Sequence, residues 1–466
     1  MTDTAALEVE YLDRGLGELV EECVVVRHTA GDQRVAAVFA VPGKAAPAVR
    51  RATVLREEAN GELSLFEPDD HLMLFHRNRR EADFIFREVF RDNEYLRNGV
   101  TLPEHPTVVD VGANVGGASV LFGLVSPGAR IFALEPVPHL CRAIELNARL
   151  HDIDLVVIPG AVGDARRKTK ITYYPKNTAM SGLLADQADR EVLKTYLEGE
   201  GDSTSADGLD TMVAELLAGE SVDCDVRTLG QALQDHSVDR IDLLKIDVEK
   251  AEWQVLLGID DDLWQRVHQV VMEVHDIDGR VAACVALLEG KGFSVLVDRN
   301  QDLLATDMYG VYARRGPVAP DATPPSWHKP LSTRRALAVA LRAELGGEFA
   351  ELPVERFRFL AILPRDEQGR VDTASLLADL PAEEPAEAGQ LTEIEEKLAA
   401  IWRQVLKVDD IARSDDFFDL GGTSLKSVRM VLEVDEAFGE NVLPPDQLFV
   451  ASRFDEVAAI IRGNLG

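Results

Sequence analysis

From Thr107 to Arg315 the chain alternates short apolar runs with amphipathic stretches, and no other feature constrains its fold as strongly. The runs are TVVDVGA (107–113), RIFALEP (130–136), LVVIPGAVG (155–163), IDLLKIDV (241–248), QVVMEVHD (269–276), FSVLVD (293–298) and MYGVYARR (308–315). Strands spaced by helices predict an α/β domain with a mainly parallel seven-stranded sheet covered on both faces. That segment fills less than half of 466 residues, a length that accommodates about three folded units.

The rest of the chain reads differently. Residues 20–42 hold two β-branched runs around Gly31 and Asp32, a hairpin pattern too small to stand alone. From about residue 60 the pattern becomes helical, with Phe84, Phe86, Val89 and Phe90 among charges. The acidic, Gly/Ser-rich stretch 185–222 interrupts the alternation as a lid or loose insertion. Pro-rich segments at 316–330 and 381–389 are linker signals.

Forty-nine Lys and Arg against 81 Asp and Glu give a net charge of −32, which repels nucleic-acid backbones and anionic lipid surfaces. Neither is expected as a partner. Cys23, Cys141, Cys224 and Cys284 lie far apart, without the spacing of a zinc site or a disulfide framework. The amino terminus, MTDTAALEVE, lacks the basic start of a signal peptide, and no run reaches the ~18 apolar residues of a membrane span. A cytoplasmic protein is expected.

The chemistry concentrates in VVDVGANVGGASV (108–120), an apolar strand, a Gly-rich turn and a helix start. Gly112 and Gly116 let the backbone approach a ligand, and Asp110 can accept hydrogen bonds from one. Such turns also serve NAD, FAD or tight packing. Glu135, ending the next strand 25 residues beyond Asp110, is placed to bind both hydroxyls of a ribose and favours an adenosyl ligand. Lys245, Asp247 and Glu249 alternate and are expected on one strand face, as are Glu273 and His275 on the next. Lys245 and Glu273 equally fit a structural pair that neutralises itself. Asp247, Glu273 and His275 have the chemistry of metal ligands, but proton handling is the preferred role and no metal is expected. His275, with an ordinary pKa of about 6.5, is the expected base.

These residues resemble the FkbM family of S-adenosylmethionine-dependent methyltransferases. The resemblance runs from HLMLFHRNRREADFIFREVF (71–90) through YLRNGVTLP, DVGANVGG, FALEPVP, PGAVGD, LLKIDVEKAEWQVLLG and VVMEVHD. It implies a Rossmann-like methyltransferase fold. It also implies that Asp110, Gly112, Asn114 and Gly116 line the methionine and sugar end of the cofactor, that Glu135 holds the ribose, and that Asp164 lies near the adenine. The family's usual Gly after K-I-D-V-E is Lys250 here, which puts the geometry of that turn in question.

Residues 392–405 open with Thr392 and Glu395 in capping-box spacing and carry Ile394, Leu398, Ile401 and Val405 on one helical face. Ser424 follows a Gly-Gly turn at the start of a second helix whose apolar positions are Leu425, Val428 and Leu432. FFDLGGTSLKSV resembles the attachment motif of peptidyl carrier domains in nonribosomal peptide synthetases, which implies a four-helix carrier with 4'-phosphopantetheine on Ser424, installed by a phosphopantetheinyl transferase. The hairpin at 20–42 and the stretch 341–376 look like two halves of the small α+β carboxyl-terminal subdomain of an adenylation domain. That family's catalytic Lys is Arg370 here, and its large nucleotide-binding core is absent, so an excised or naturally truncated module is expected.

The expected organisation is 1–57, adenylation subdomain, first part; 58–316, methyltransferase; 317–380, adenylation subdomain, second part; and 390–466, carrier. Such a chain is expected to methylate an amino acid held as a thioester on its carrier, on a side-chain hydroxyl, with the backbone nitrogen as the alternative acceptor. Its partners are that aminoacyl thioester, an adenylation core and other synthetase modules. A non-catalytic carrier or scaffold fragment is the competing class.

Overall fold

The computed structural model describes residues 8–12, 16–30, 33–184, 188–199, 210, 213–299, 306–317, 325–350, 352, 356–378, 392–406, 408, 411, 413, 415, 417, 420, 424–439, 442–443 and 452–465. All seven strand candidates between 107 and 315 enter one sheet. Its order is Ser294–Asp298, Met308–Arg314, Gln269–His275, Leu243–Ile246, Thr107–Val111, Arg130–Glu135 and Asp154–Pro159. The last five are parallel; Met308–Arg314 runs antiparallel to both of its neighbours, which makes the sheet mixed. Strand order reverses between Thr107–Val111 and Leu243–Ile246, and a ligand crevice forms beyond the carboxyl ends of strands at such a point. Val109, Phe132, Leu244, Ile246, Val270 and Met272 are almost fully buried in the core beneath that edge.

Two strand expectations need correction. The run LVVIPGAVG breaks at Gly160, whose φ of +127° is open to glycine. Beyond it Ala161–Val162 leaves the main sheet and pairs with Glu220–Arg227, which in turn pairs with Arg167–Tyr173. The run IDLLKIDV ends as a strand at Ile246, so Asp247 and Glu249 lie in the turn beyond it, with Glu249 and Lys250 both at positive φ. Within the stretch read as an insertion the structure describes a helix, Ala188–Gly199, and the strand Glu220–Arg227; residues 185–187, 200–209 and 211–212 lie outside the described residues. The helix expected around Phe84–Phe90 is an α-helix over Arg79–Ile85 that continues as a π-helical turn, Phe86–Arg91.

Chain contacts separate residues 1–77, 146–152 and 326–390 from the remainder. This smaller unit is built on a sheet ordered Glu8–Tyr11, Val20–Ala30, Gln33–Pro42 and Phe357–Phe359. The last strand joins parallel to Gln33–Pro42, with Phe357 opposite Val38 and Phe359 opposite Ala40. Val24, Val26, Phe39, Leu363 and Leu376 share one core, so sequence positions more than 300 residues apart fold together. The expected hairpin is present; its turn at Gly31 and Asp32 lies outside the described residues. Residues 58–77, expected with the central domain, group here, where Ser64–Phe66 pairs with Leu74–His76. Arg370 bonds to Asp366 within its own turn at 2.9 Å and is three-quarters exposed.

The carboxyl-terminal region contributes the helices Glu393–Leu406, Ser424–Phe438 and Phe454–Leu465. Thr392 and Glu395 form the reciprocal capping box. Leu398, Trp402, Phe417, Val434, Phe454 and Ile461 make a separate core. On the middle helix Met430 and Val434 are buried while Leu432 is 40% exposed. The side chains of Ser424, Leu425 and Val428, the residues 421–423, residues 318–324 of the Pro-rich segment 316–330, and the whole of 381–389 lie outside the described residues; within the first segment Trp327 is described and buried. No helix among the described residues is long and apolar enough to cross a membrane.

Candidate functional site

A cavity of about 210 Å³ opens beyond the carboxyl edge of the main sheet. One wall is the turn after Thr107–Val111. Gly112 there has φ +80°, and a Cβ at this position would stand 1.7 Å from the carbonyl oxygen of Asp247, so the neighbouring turns meet only through glycine. Asn114, also at positive φ, donates its backbone N–H to Glu135 at 2.9 Å, and Val137 donates to the other oxygen of the same carboxylate at 2.9 Å. Burial raises the pKa of Glu135 to about 7 while these two N–H groups hold it down.

Gly112, Asn114 and Glu135 line the cavity. Asp110 does not. The strand register sets it opposite Lys245, and its fully buried carboxylate takes the Lys245 ammonium at 3.1 Å and the Ser119 hydroxyl at 2.7 Å. Gly116 caps the following helix at φ +84° and packs toward Ile144, so it shapes the turn from behind. Asp164 is half exposed, pairs with Arg167 at 2.6 Å and stands away from the cavity lining.

The opposite wall is acidic. Lys245 donates to the Gly112 carbonyl at 2.8 Å and lies 3.5 Å from Asp247. Burial disfavours its charge, but Asp110 and Asp247 overcome this and raise its pKa above the usual lysine range. Lys245 is thus a fixed cation. It pairs with Asp110, not Glu273, because Glu273 lies two residues past Val271, its register partner. Oxygens of Asp247, Glu249 and Glu273 converge within 4.8 Å of one another, close enough to share a cation or a proton. Tyr95 donates its hydroxyl to Asp247 at 2.9 Å.

Glu88 enters the same wall from the π-helical turn, a distortion that recurs at functional sites. Burial and the charges of Asp247 and Glu94 raise Glu88 to about 8, and burial and Asp247 raise Glu273 well above the carboxylate range. Glu249 is raised to about 8 by burial, opposed by His275.

His275 faces Glu249 through Nε2 and the buried Glu252 through Nδ1, each at 3.4 Å. Burial pulls its pKa down, but Glu252, Glu249 and Asp247 together lift it to about 9. An imidazole near 6.5, as expected from the residue type alone, is therefore not what this site contains. At neutral pH the ring is protonated.

Sequence reading missed Glu81, Glu88, Tyr95 and Thr178. Glu81 accepts from the Thr178 hydroxyl and lies 3.4 Å from Asn114 Nδ2, which ties the segment around Thr178 to the cofactor turn. The available signal was the seven-residue spacing of Glu81 and Glu88, which puts both acids on the helical face that carries Phe84 and Ile85.

Comparison with known proteins identifies both regions. The domain family described as Methyltransferase FkbM domain matches residues 110–295, and Phosphopantetheine attachment site matches 396–461. AMB antimetabolite synthetase AmbE of Pseudomonas aeruginosa is 35% identical over 392 residues, which is 77% of this chain but 18% of that protein. The 31-O-demethyl-FK506 methyltransferase FkbM of Streptomyces tacrolimicus is 41% identical over 241 residues, 52% of this chain and 92% of its own length. Tyrocidine synthase 3 of Brevibacillus parabrevis is 38% identical over 135 residues, 28% of this chain and 2% of that protein.

The cofactors these families imply are S-adenosylmethionine and 4'-phosphopantetheine. The cavity fits the first: a Gly112 turn that no Cβ could occupy lies beside Glu135, whose oxygens keep accepting capacity for ribose hydroxyls. The chain belongs, over its central region, to the FkbM family of methyltransferases, joined in this case to a carboxyl-terminal phosphopantetheine carrier domain.

Proposed function

We propose that the central domain methylates a side-chain hydroxyl of an amino acid held as a thioester on the Ser424 arm. The observation that carries this reading is a single cavity with a cofactor turn on one wall and His275 with an excess of carboxylates on the other. Neither Glu88 nor Glu273 forms a side-chain ion pair or hydrogen bond with another described residue. Both have raised pKa values and hold protons near neutral pH, so an amine entering beside them takes a proton from one of them and becomes ammonium, which has no lone pair for methyl transfer; this favours oxygen over nitrogen as the acceptor. The Streptomyces tacrolimicus relative is itself named for a 31-O-demethyl substrate.

When bound, S-adenosylmethionine supplies an electrophilic methyl group on a sulfonium. Lys245 holds the Gly112 carbonyl and Asp247, and so fixes the two turns against each other. Nε2 of His275 is the proton acceptor, since Nδ1 faces Glu252, which is buried behind the cavity wall. Glu249 and Glu252 stabilise the imidazolium that forms.

The parallel pairing of Phe357–Phe359 with Gln33–Pro42 supports the further reading of 1–57 and 317–380 as two parts of one small adenylation subdomain around a methyltransferase at 58–316, with the carrier at 390–466. In that reading Arg370, bonded within its own turn, does not replace the family's catalytic Lys.

Transfer of labelled methyl from S-adenosylmethionine to the loaded arm tests the proposal. The mass of one methyl group should appear on the acyl arm of the holo protein; label on protein that carries no acyl group contradicts it. Glu135→Ala should weaken S-adenosylmethionine binding at least about tenfold, since charge-assisted hydrogen bonds are worth ~1.5–3 kcal/mol each. Calorimetry showing unchanged affinity moves the ribose elsewhere.

A further inference from the structure

Lys250 sits at φ +72°, directly after Glu249 at φ +50°. Two successive side-chain-bearing residues in the left-handed region are unfavourable, and glycine would hold this turn more easily. The turn therefore has the course expected of a Gly there, with a lysine placed on it. The lysine side chain is buried, with only 8% exposure, and its ammonium stands 2.5 Å from Asp189, 5% exposed. Asp189 opens the helix Ala188–Gly199, and Val192 and Leu193, three and four residues further along, line the cavity. The Lys250 carbonyl accepts from Arg280 Nη1, and Arg280 also approaches Glu252, the partner of His275. One residue thus joins the turn that carries Asp247 and Glu249 to the helix that walls the cavity beside them.

We propose that Lys250 is a positioning residue whose buried ion pair with Asp189 clamps the Ala188–Gly199 helix onto the cavity, and that this clamp sets affinity for the acyl acceptor. Lys250 touches neither cofactor nor acceptor. The part about the acceptor rests on the methyl-transfer reading, whereas the clamp itself does not. A buried pair of this kind is sensitive to loss of either partner, because the survivor loses the ion-pair partner held against it.

The decisive variant is Lys250→Gly, which relieves the backbone and removes the clamp. Hydrogen exchange of the amides in 188–199 should accelerate at least about tenfold in the full chain, while exchange in the strand Leu243–Ile246 stays as in wild type. With seryl-pantetheine as soluble acceptor, KM should rise at least about fivefold, with kcat changed less than about twofold. Lys250→Arg should restore most of both. Should Lys250→Gly fold poorly, Lys250→Gly/Asp189→Ala removes both charges of the pair and is expected to show the same exchange and KM changes.

Unchanged exchange in 188–199 in these variants overturns the clamp. Accelerated exchange with unchanged KM overturns its role in acceptor affinity. Absence of any transfer to seryl-pantetheine by the wild type counts against the hydroxyl reading and leaves the exchange result to decide the clamp.

Discussion

Gly112→Ala is expected to lose S-adenosylmethionine binding by at least about 30-fold, the equivalent of ~2 kcal/mol or more. Two costs add. A left-handed φ of +80° costs an L-residue about 1–2 kcal/mol. The new Cβ would stand 1.7 Å from the Asp247 carbonyl oxygen, an atom of the backbone that no rotamer change can move. The turns at 112 and 247 have to separate, at the ~1–3 kcal/mol typical of overpacking. That separation breaks the bond from Lys245 to the Gly112 carbonyl and displaces Asn114 from Glu135. Gly116→Ala is the matched control: its φ of +84° carries the same penalty, yet the added Cβ meets Ile144 at an ordinary 3.4 Å, behind the cavity wall. It should lose stability with affinity nearly retained. Calorimetry and thermal melting on both variants check this, and wild-type affinity in a folded Gly112→Ala protein would remove the cofactor from this turn.

His275→Ala is expected to lower kcat by ~10²–10⁴-fold with S-adenosylmethionine affinity retained. The pH profile carries a sharper expectation. Only neutral His275 takes a proton, and its carboxylate neighbours raise its pKa to about 9. Turnover should therefore rise about tenfold per pH unit from 7 and level off above about 9, whereas an imidazole of ordinary pKa would level off near 6.5. Glu249→Gln removes one carboxylate from the ring and should move the plateau to lower pH. A flat profile between pH 7 and 9 in the wild type, with full activity in His275→Ala, would assign the proton to another group.

The main sheet was legible because its central strands are covered on both faces and read as apolar runs ended by turns. The same signal overran the strand ends. IDLLKIDV continues apolar and acidic through the turn at 247–250, and periodicity registers no change of φ there. Arg167–Tyr173, KTKITY in its last six residues, was passed over because one face of that small sheet is open and its alternating lysines look like a loop. Within the site, sequence spacing identified the residue types but not their register. Asp110 reads as a ligand contact until Lys245 is seen opposite it on the neighbouring strand. His275 reads as an ordinary imidazole until Glu249 and Glu252 close on both nitrogens. Glu88, in the π-helical turn, and Tyr95, in the irregular segment after it, were out of reach because nothing local shows which cavity either side chain will face.

The central claim is tested most directly by tandem mass spectrometry of the acyl group released from the holo protein after loading with a hydroxyl-bearing amino acid and incubation with S-adenosylmethionine. A Ser424→Ala sample, which accepts no arm, serves as the control. The account predicts a methyl group on the side-chain oxygen of the arm-bound amino acid and none in the control. A methyl group on the backbone nitrogen, or equal methylation of the free amino acid in the Ser424→Ala sample, would contradict it.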